Sequence, residues 1–333
     1  MRLTRRKVLS IGAAAVAAAA IRPVRAADKI QWDLSTVWPE SNFHTQNARR
    51  FAEEVAKATG SAVEITVKSG GQLGFKGPEH LRAVRDGLVP VADVLDIQQI
   101  GDEPILGVES IPFLVGSPEQ LKVLHKYMRP IYNQVAQRNN QKILYIVPWP
   151  TQYLHLNVKT DNLDGLKGIK IRVPDKNAQD MLAAIGMSPI LIPWGETIPA
   201  LASGAVSGVS TSATSGVDGK FWEFLKYIYP TNHVWSCQMM DVNLDAWGKL
   251  TPAQQKTITD IAAKLEPEFW AVSAQNDKDS LKTLTDNGMQ VVPVPSAMMQ
   301  AMREKTAPLL EAFLKRVPEA EKPVRAYLAD VKA

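Results

Sequence analysis

Cysteine occurs once, as Cys237, in a chain of 333 residues. A single thiol excludes an internal disulfide framework and a cage of cysteine thiolates around zinc or an iron–sulfur cluster. Histidine is also scarce. His44, His80, His125, His155 and His233 stand far apart, so no local metal-ligand spacing exists, and each reads as a surface or a satisfied core imidazole. The motifs GxGxxG, Walker A, HExxH and GxSxG are all missing, which leaves nucleotide, zinc-protease and serine-hydrolase chemistry without a signal. Ser69-Gly70-Gly71-Gln72-Leu73-Gly74 is rich in glycine but lacks the lysine of a phosphate loop, and reads as a turn. The acids are scattered. No catalytic residue, cofactor or metal is expected.

Positive charge is concentrated rather than abundant. Arg2, Arg5, Arg6, Lys7, Arg22 and Arg25 fall within the first 26 residues, which hold no acid. Without them the formal charge falls from +4 to −2, and no electrostatic case for nucleic acid remains. The same residues predict an export signal over 1–26. A basic head with a twin-arginine pair precedes the apolar run Val8–Ile21, and Val24-Arg25-Ala26 offers a small-x-small cleavage site. At 14 residues, the run is too short for the ~30 Å of a bilayer core. The expected location is periplasmic, with cleavage near Ala26.

Beyond the leader, length and composition fit about two globular domains. Val63, Ile65 and Val67 alternate with polar residues, the period of a half-buried strand. Further strands are predicted at 91–97, 142–147, 169–173, 188–192 and 290–294. Helices are predicted over 42–58, 118–137 and 176–185. Thr251-Pro252-Ala253-Gln254 opens a long helix with a cap, an N1 proline and a capping box, running to about Asn287, with Pro267 expected to kink or divide it. Strand–helix alternation implies an α/β fold.

One segment carries most of the information. Asp164-Gly165-Leu166-Lys167-Gly168-Ile169-Lys170-Ile171-Arg172-Val173-Pro174 is followed by Ile185-Gly186-Met187-Ser188-Pro189. Then come Trp194-Gly195-Glu196 and Ala200-Leu201-Ala202-Ser203-Gly204-Ala205-Val206-Ser207-Gly208. This resembles the DctP-type extracytoplasmic solute receptors of tripartite ATP-independent periplasmic (TRAP) transporters. Phe51-Ala52-Glu53-Glu54-Val55, Gly71-Gln72-Leu73-Gly74, Ile111-Pro112-Phe113-Leu114 and Leu250-Thr251-Pro252-Ala253-Gln254-Gln255 follow the family order. The resemblance implies a two-lobed periplasmic solute-binding fold, with a ligand cleft between the lobes and a long helix spanning both. The lobes are expected at 27–149 with 237–276, and at 150–236 with 277–333.

The resemblance also implies a site. Arg172 matches the family's carboxylate-binding arginine, and its planar fork of donors suits a carboxylate. On pattern alone, an internal ion pair accounts for it equally well. Gln152 stands where many sialic acid and dicarboxylate receptors of the family have a second arginine. Trp194 stands at the family's aromatic position. Thr211, with Ser212 beside it, falls nearest a polar position that is usually Asn. The Glu-Trp pair of the metal-assisted 2-oxo-acid receptors is absent. Trp38, Phe75, Trp149 and Trp235 are placed at the cleft as aromatic walls, and Gln98 and Gln99 as amide contacts. Trp32, Trp222, Trp247 and Trp270 are read as core.

The expected function is capture of a small organic acid and its delivery to the small and large TRAP membrane subunits. The leading ligand is a monocarboxylate, aromatic and hydroxylated acids included. The alternatives are a C4-dicarboxylate or sugar acid, with Lys or His replacing the second arginine; a secreted enzyme acting on an organic acid; and a receptor serving a sensor kinase. A monomer is expected, with a dimer as the other option.

Overall fold

The structure is a computed structural model that describes residues 29–331. The export signal over 1–26 lies outside the described residues. No helix among the described residues is long and apolar enough to cross a membrane.

Two sheets form the frame. The first contains β1 (Ile30–Ser35), β2 (Val63–Lys68), β3 (Val91–Leu95), β4 (Gln141–Pro148) and β10 (Cys237–Asn243), in the order β2-β1-β3-β10-β4. The β1 strand pairs in parallel with β2 and β3, whereas β10 runs antiparallel to β3 and β4. The second contains β5 (Tyr153–Leu156), β6 (Lys170–Val173), β7 (Ser188–Leu191), β8 (Gly208–Thr211), β9 (Tyr227–Tyr229) and β11 (Gln290–Val291), in the order β11-β9-β5-β8-β6-β7. Strands at the sheet centres, β3 and β10, are buried along their whole length. On β2, by contrast, Val63, Ile65 and Val67 alternate with less buried neighbours, as the sequence period requires.

The chain crosses between the sheets at 149–152 and returns at 230–236. The two crossings hold each other: the Trp149 amide donates to the Ser236 carbonyl (2.9 Å) and the Gln152 amide to the Val234 carbonyl (3.1 Å).

The long helix Pro252–Asp286 begins with the expected cap. Thr251 Oγ1 accepts from the Gln254 amide, and Gln254 Oε1 accepts from the Thr251 amide. The helix serves both sheets. Ile258, Ala262, Leu265 and Phe269 enter the first sheet's core, and Leu284 the second's. It is one continuous helix through Pro267, so the proline does not divide it. Tertiary clamps on either side of the proline account for this. Glu266 Oε2 accepts from the Ile146 amide, Trp270 Nε1 donates to the Ile146 carbonyl, and Ser273 Oγ donates to the Pro148 carbonyl. Fixed to β4 in this way, the helix tolerates one lost internal hydrogen bond.

The C-terminal helices divide differently from the sequence expectation. Met298 and Met302 pack with the second sheet. Phe313, Leu314, Val324 and Tyr327 instead join the core of the first half, beside Leu124, Met128 and Tyr132 of the helix Pro118–Arg138. The apolar faces of the helices Pro308–Arg316 and Glu321–Asp330 are amphipathic stripes that fit either lobe; only packing decides which.

Candidate functional site

A cavity lies between the two sheets. The chain enters it where strands end. Trp38 follows β1, Gln98 follows β3, Trp149 and Gln152 flank the first crossing, and Ser236 ends the return. From the other side come Arg172 on β6, Trp194 at the start of the helix Trp194–Ala202, and Thr211 and Ser212 after β8.

Arg172 is only 2 % exposed. Its Nε donates to the Ile192 carbonyl at 2.9 Å and makes no ion pair among the described residues. Desolvation lowers its pKa to about 10, opposed by nearby Asp175, so it remains cationic at neutral pH. Asp175 is committed elsewhere. Its Oδ1 accepts from the Asn177 and Ala178 amides and from Ser110 Oγ, capping the helix Lys176–Ala184. Burial raises Asp175 to about 6, offset by these bonds and by Arg172. The internal ion pair weighed from sequence therefore does not form. Arg172 is the one charged side chain among the described residues lining the cavity.

Three tryptophans form the apolar wall. Trp38 and Trp149 pack edge to face with ring centres 4.5 Å apart, and Trp194 lies 5.7 Å from Trp38 across the cleft. Trp149 Nε1 donates to Gln238 Oε1; Trp38 Nε1 is buried with no partner. The two sides also meet through Asn42, whose Nδ2 donates to Asp218 Oδ2 at 2.6 Å, and through the Lys76–Glu196 pair at 2.7 Å. Burial raises Asp218 to about 6.

Eight of the residues named from sequence line this cavity: Trp38, Gln98, Trp149, Gln152, Arg172, Trp194, Thr211 and Ser212. Three are placed elsewhere. Phe75 packs against the first sheet's outer core and lines a separate groove with Trp32 and Leu88. Gln99 turns inward, its Nε2 donating to the Gly77 and Leu95 carbonyls. Trp235 alternates away from Ser236 into the core, its Nε1 donating to the Val115 carbonyl.

Sequence reasoning missed Ser210 and His233 behind Gln152, and Ser215 and Ser236 in the wall. It also missed a buried grouping in the first half. Glu109, His125 and Cys237 bring ligand-type atoms within 4.8 Å of one another. They hydrogen-bond among themselves: His125 Nε2 lies 2.8 Å from Glu109 Oε1 and 3.4 Å from Cys237 Sγ, and Tyr132 Oη donates to Glu109 Oε1. No local spacing announces residues so far apart in the chain.

Comparison with known proteins gives the family. The model of the bacterial extracellular solute-binding proteins, family 7 (DctP), matches residues 34–316. The chain is similar to a monocarboxylate 2-oxoacid-binding periplasmic protein of Nostoc sp., with 26% identity over 93% of this chain and 88% of that one. It is similar in structure to DctP7, a Bordetella pertussis extracytoplasmic solute receptor binding pyroglutamic acid. Identity there is 28%, the TM-score 0.86, and coverage 89% of this chain and 98% of that one. A marine metagenome TRAP solute-binding protein specific for pyroglutamate gives 27% identity, a TM-score of 0.86, and coverage of 91% and 99%. This chain belongs to family 7 of the bacterial extracellular solute-binding proteins, the TRAP extracytoplasmic solute receptors, a periplasmic family.

Proposed function

We propose that this TRAP receptor captures a small monocarboxylate and delivers it to the membrane subunits of its transporter. Arg172 takes the carboxylate. Gln152 and Thr211 orient the ligand's second polar group, and Trp38, Trp149 and Trp194 enclose its body. The observation that carries this reading is Arg172 itself: a buried cation, without an ion pair, on the wall of a cavity. A buried charge is stable only when paired, and an entering carboxylate supplies the pair.

One charged residue in the wall matches one carboxylate. Among the described residues no Lys or His lines the cavity in place of a second arginine, which disfavours a dicarboxylate. Pyroglutamate is the first ligand to test, because two similar structures at 27–28% identity are of receptors for it.

The test is thermal unfolding of the ligand-stripped mature protein with pyroglutamate, aromatic and hydroxylated monocarboxylates, and C4-dicarboxylates. A ligand at 100 times its Kd adds about 2.7 kcal/mol, a shift of several degrees. The expected result is a shift with one or more monocarboxylates that disappears in Arg172→Ala. A shift confined to dicarboxylates overturns the ligand class; a shift that survives in Arg172→Ala overturns the anchor.

A further inference from the structure

Behind Gln152 runs a chain of buried polar groups that sets which atom of its amide faces the ligand. Ser210 on β8 donates its hydroxyl to Gln152 Oε1 (3.1 Å). Ser210 Oγ also lies 2.9 Å from His233 Nε2, and His233 Nδ1 lies 2.7 Å from Thr231 Oγ1. All four side chains are buried.

A hydroxyl has one hydrogen and a neutral imidazole has one N–H. Ser210 gives its hydrogen to Gln152, so its oxygen receives one from His233 Nε2. With the proton on Nε2, Nδ1 is bare and accepts from the Thr231 hydroxyl. Burial, with His155 nearby, lowers His233 to about 3, consistent with a neutral ring. Each link fixes the next, and the chain ends with Gln152 Oε1 tied back and both Nε2 hydrogens without a protein partner among the described residues.

We infer that Thr231, His233 and Ser210 are positioning residues that hold Gln152 as a donor, so that the receptor selects acids whose second polar group is an uncharged acceptor, such as a ring or chain carbonyl oxygen. The inference rests on the reading that Arg172 holds the carboxylate. The wall supports it: Arg172 and the unpartnered Trp38 Nε1–H are also donors.

Two measurements test this, and they fail independently. The first compares pyroglutamate with cyclopentanecarboxylate, which has the same ring size and carboxylate but no carbonyl. Wild type is expected to prefer pyroglutamate by about tenfold or more, the scale of one well-made hydrogen bond. Ser210→Ala is expected to cut that preference to about threefold or less, with cyclopentanecarboxylate affinity unchanged, and Ser210→Thr to restore it. A preference that persists in Ser210→Ala overturns the relay. The second measurement needs no ligand. Side-chain ¹⁵N spectra of the mature protein, with His233 assigned through His233→Gln, should show Nε2 protonated and Nδ1 bare at neutral pH. A proton on Nδ1 reverses the chain and overturns the proposal. If neither acid binds wild type, or if Arg172→Ala still binds pyroglutamate, the ligand reading fails while the tautomer still decides the relay.

Discussion

Two buried polar clusters, one in the first half and one at the cleft, end differently. In the first half, Glu109, His125, Tyr132 and Cys237 close on one another. At the cleft, Arg172 and Gln152 each have one edge tied to protein and the other without a protein partner among the described residues. Both clusters carry the desolvation cost of buried polar groups. The first offsets part of it through Glu109 Oε1, which takes both His125 and Tyr132, while Glu109 Oε2 is buried without a partner among the described residues. The second leaves donors unmatched, which on the proposed reading a ligand completes.

The sharpest break in that comparison comes from exchanging the two anchors. Arg172→Met removes a buried, unpaired cation, so binding is expected to fall by about 100-fold or more while the unliganded unfolding midpoint stays level or rises. Glu109→Leu strands His125 and Tyr132 without their acceptor. It is expected to cost about 3 kcal/mol in chemical denaturation with ligand affinity intact. If Arg172→Met lowers the unliganded midpoint by several degrees, the cleft cation is structural after all and the contrast collapses.

Asp241 sharpens the comparison with an acid that has no partner of either kind. Both of its oxygens are buried without hydrogen bonds, and burial raises it to about 7, with Arg129 opposing. The folded pKa lies above the unfolded value, so the folded state binds the proton more tightly. The penalty is absent below about pH 4, grows as pH rises, and levels off above about 7. Asp241→Asn is expected to be more stable than wild type by about 2 kcal/mol at pH 8, with the difference vanishing by pH 4. A pH-independent difference in unfolding free energy would sink this account. The smallest effect belongs to Lys76→Ala. The Lys76–Glu196 pair joins the two sides but is more than half exposed at both ends, so affinity measured by calorimetry should change less than about twofold.

Much of the candidate site was legible because Arg172 is conspicuous where it stands. A charged residue between Ile171 and Val173 on a short strand needs a reason, and the resemblance supplied one. Trp38, Trp149 and Trp194 follow strands or open helices, where this class of fold presents side chains to a cleft. Trp235 was misjudged by one step of alternation. Ser236 faces the cavity, so Trp235 cannot. The Thr231–His233–Ser210 relay was invisible, because its links to Gln152 span 58 residues and no local period encodes them.

The sequence by itself determined the local elements: the alternation of β2, the capping box at Thr251, and an arginine on an apolar strand. These rest on interactions within a few residues, which composition and period express directly. The tertiary structure decided the rest. It kept the helix whole through Pro267 by fixing it to β4, sent the last helices to the first half, left Arg172 without an internal acid, and aligned three side chains behind Gln152. Each of these outcomes depends on which distant segments share a few ångströms of space, and close packing, rather than local propensity, sets that.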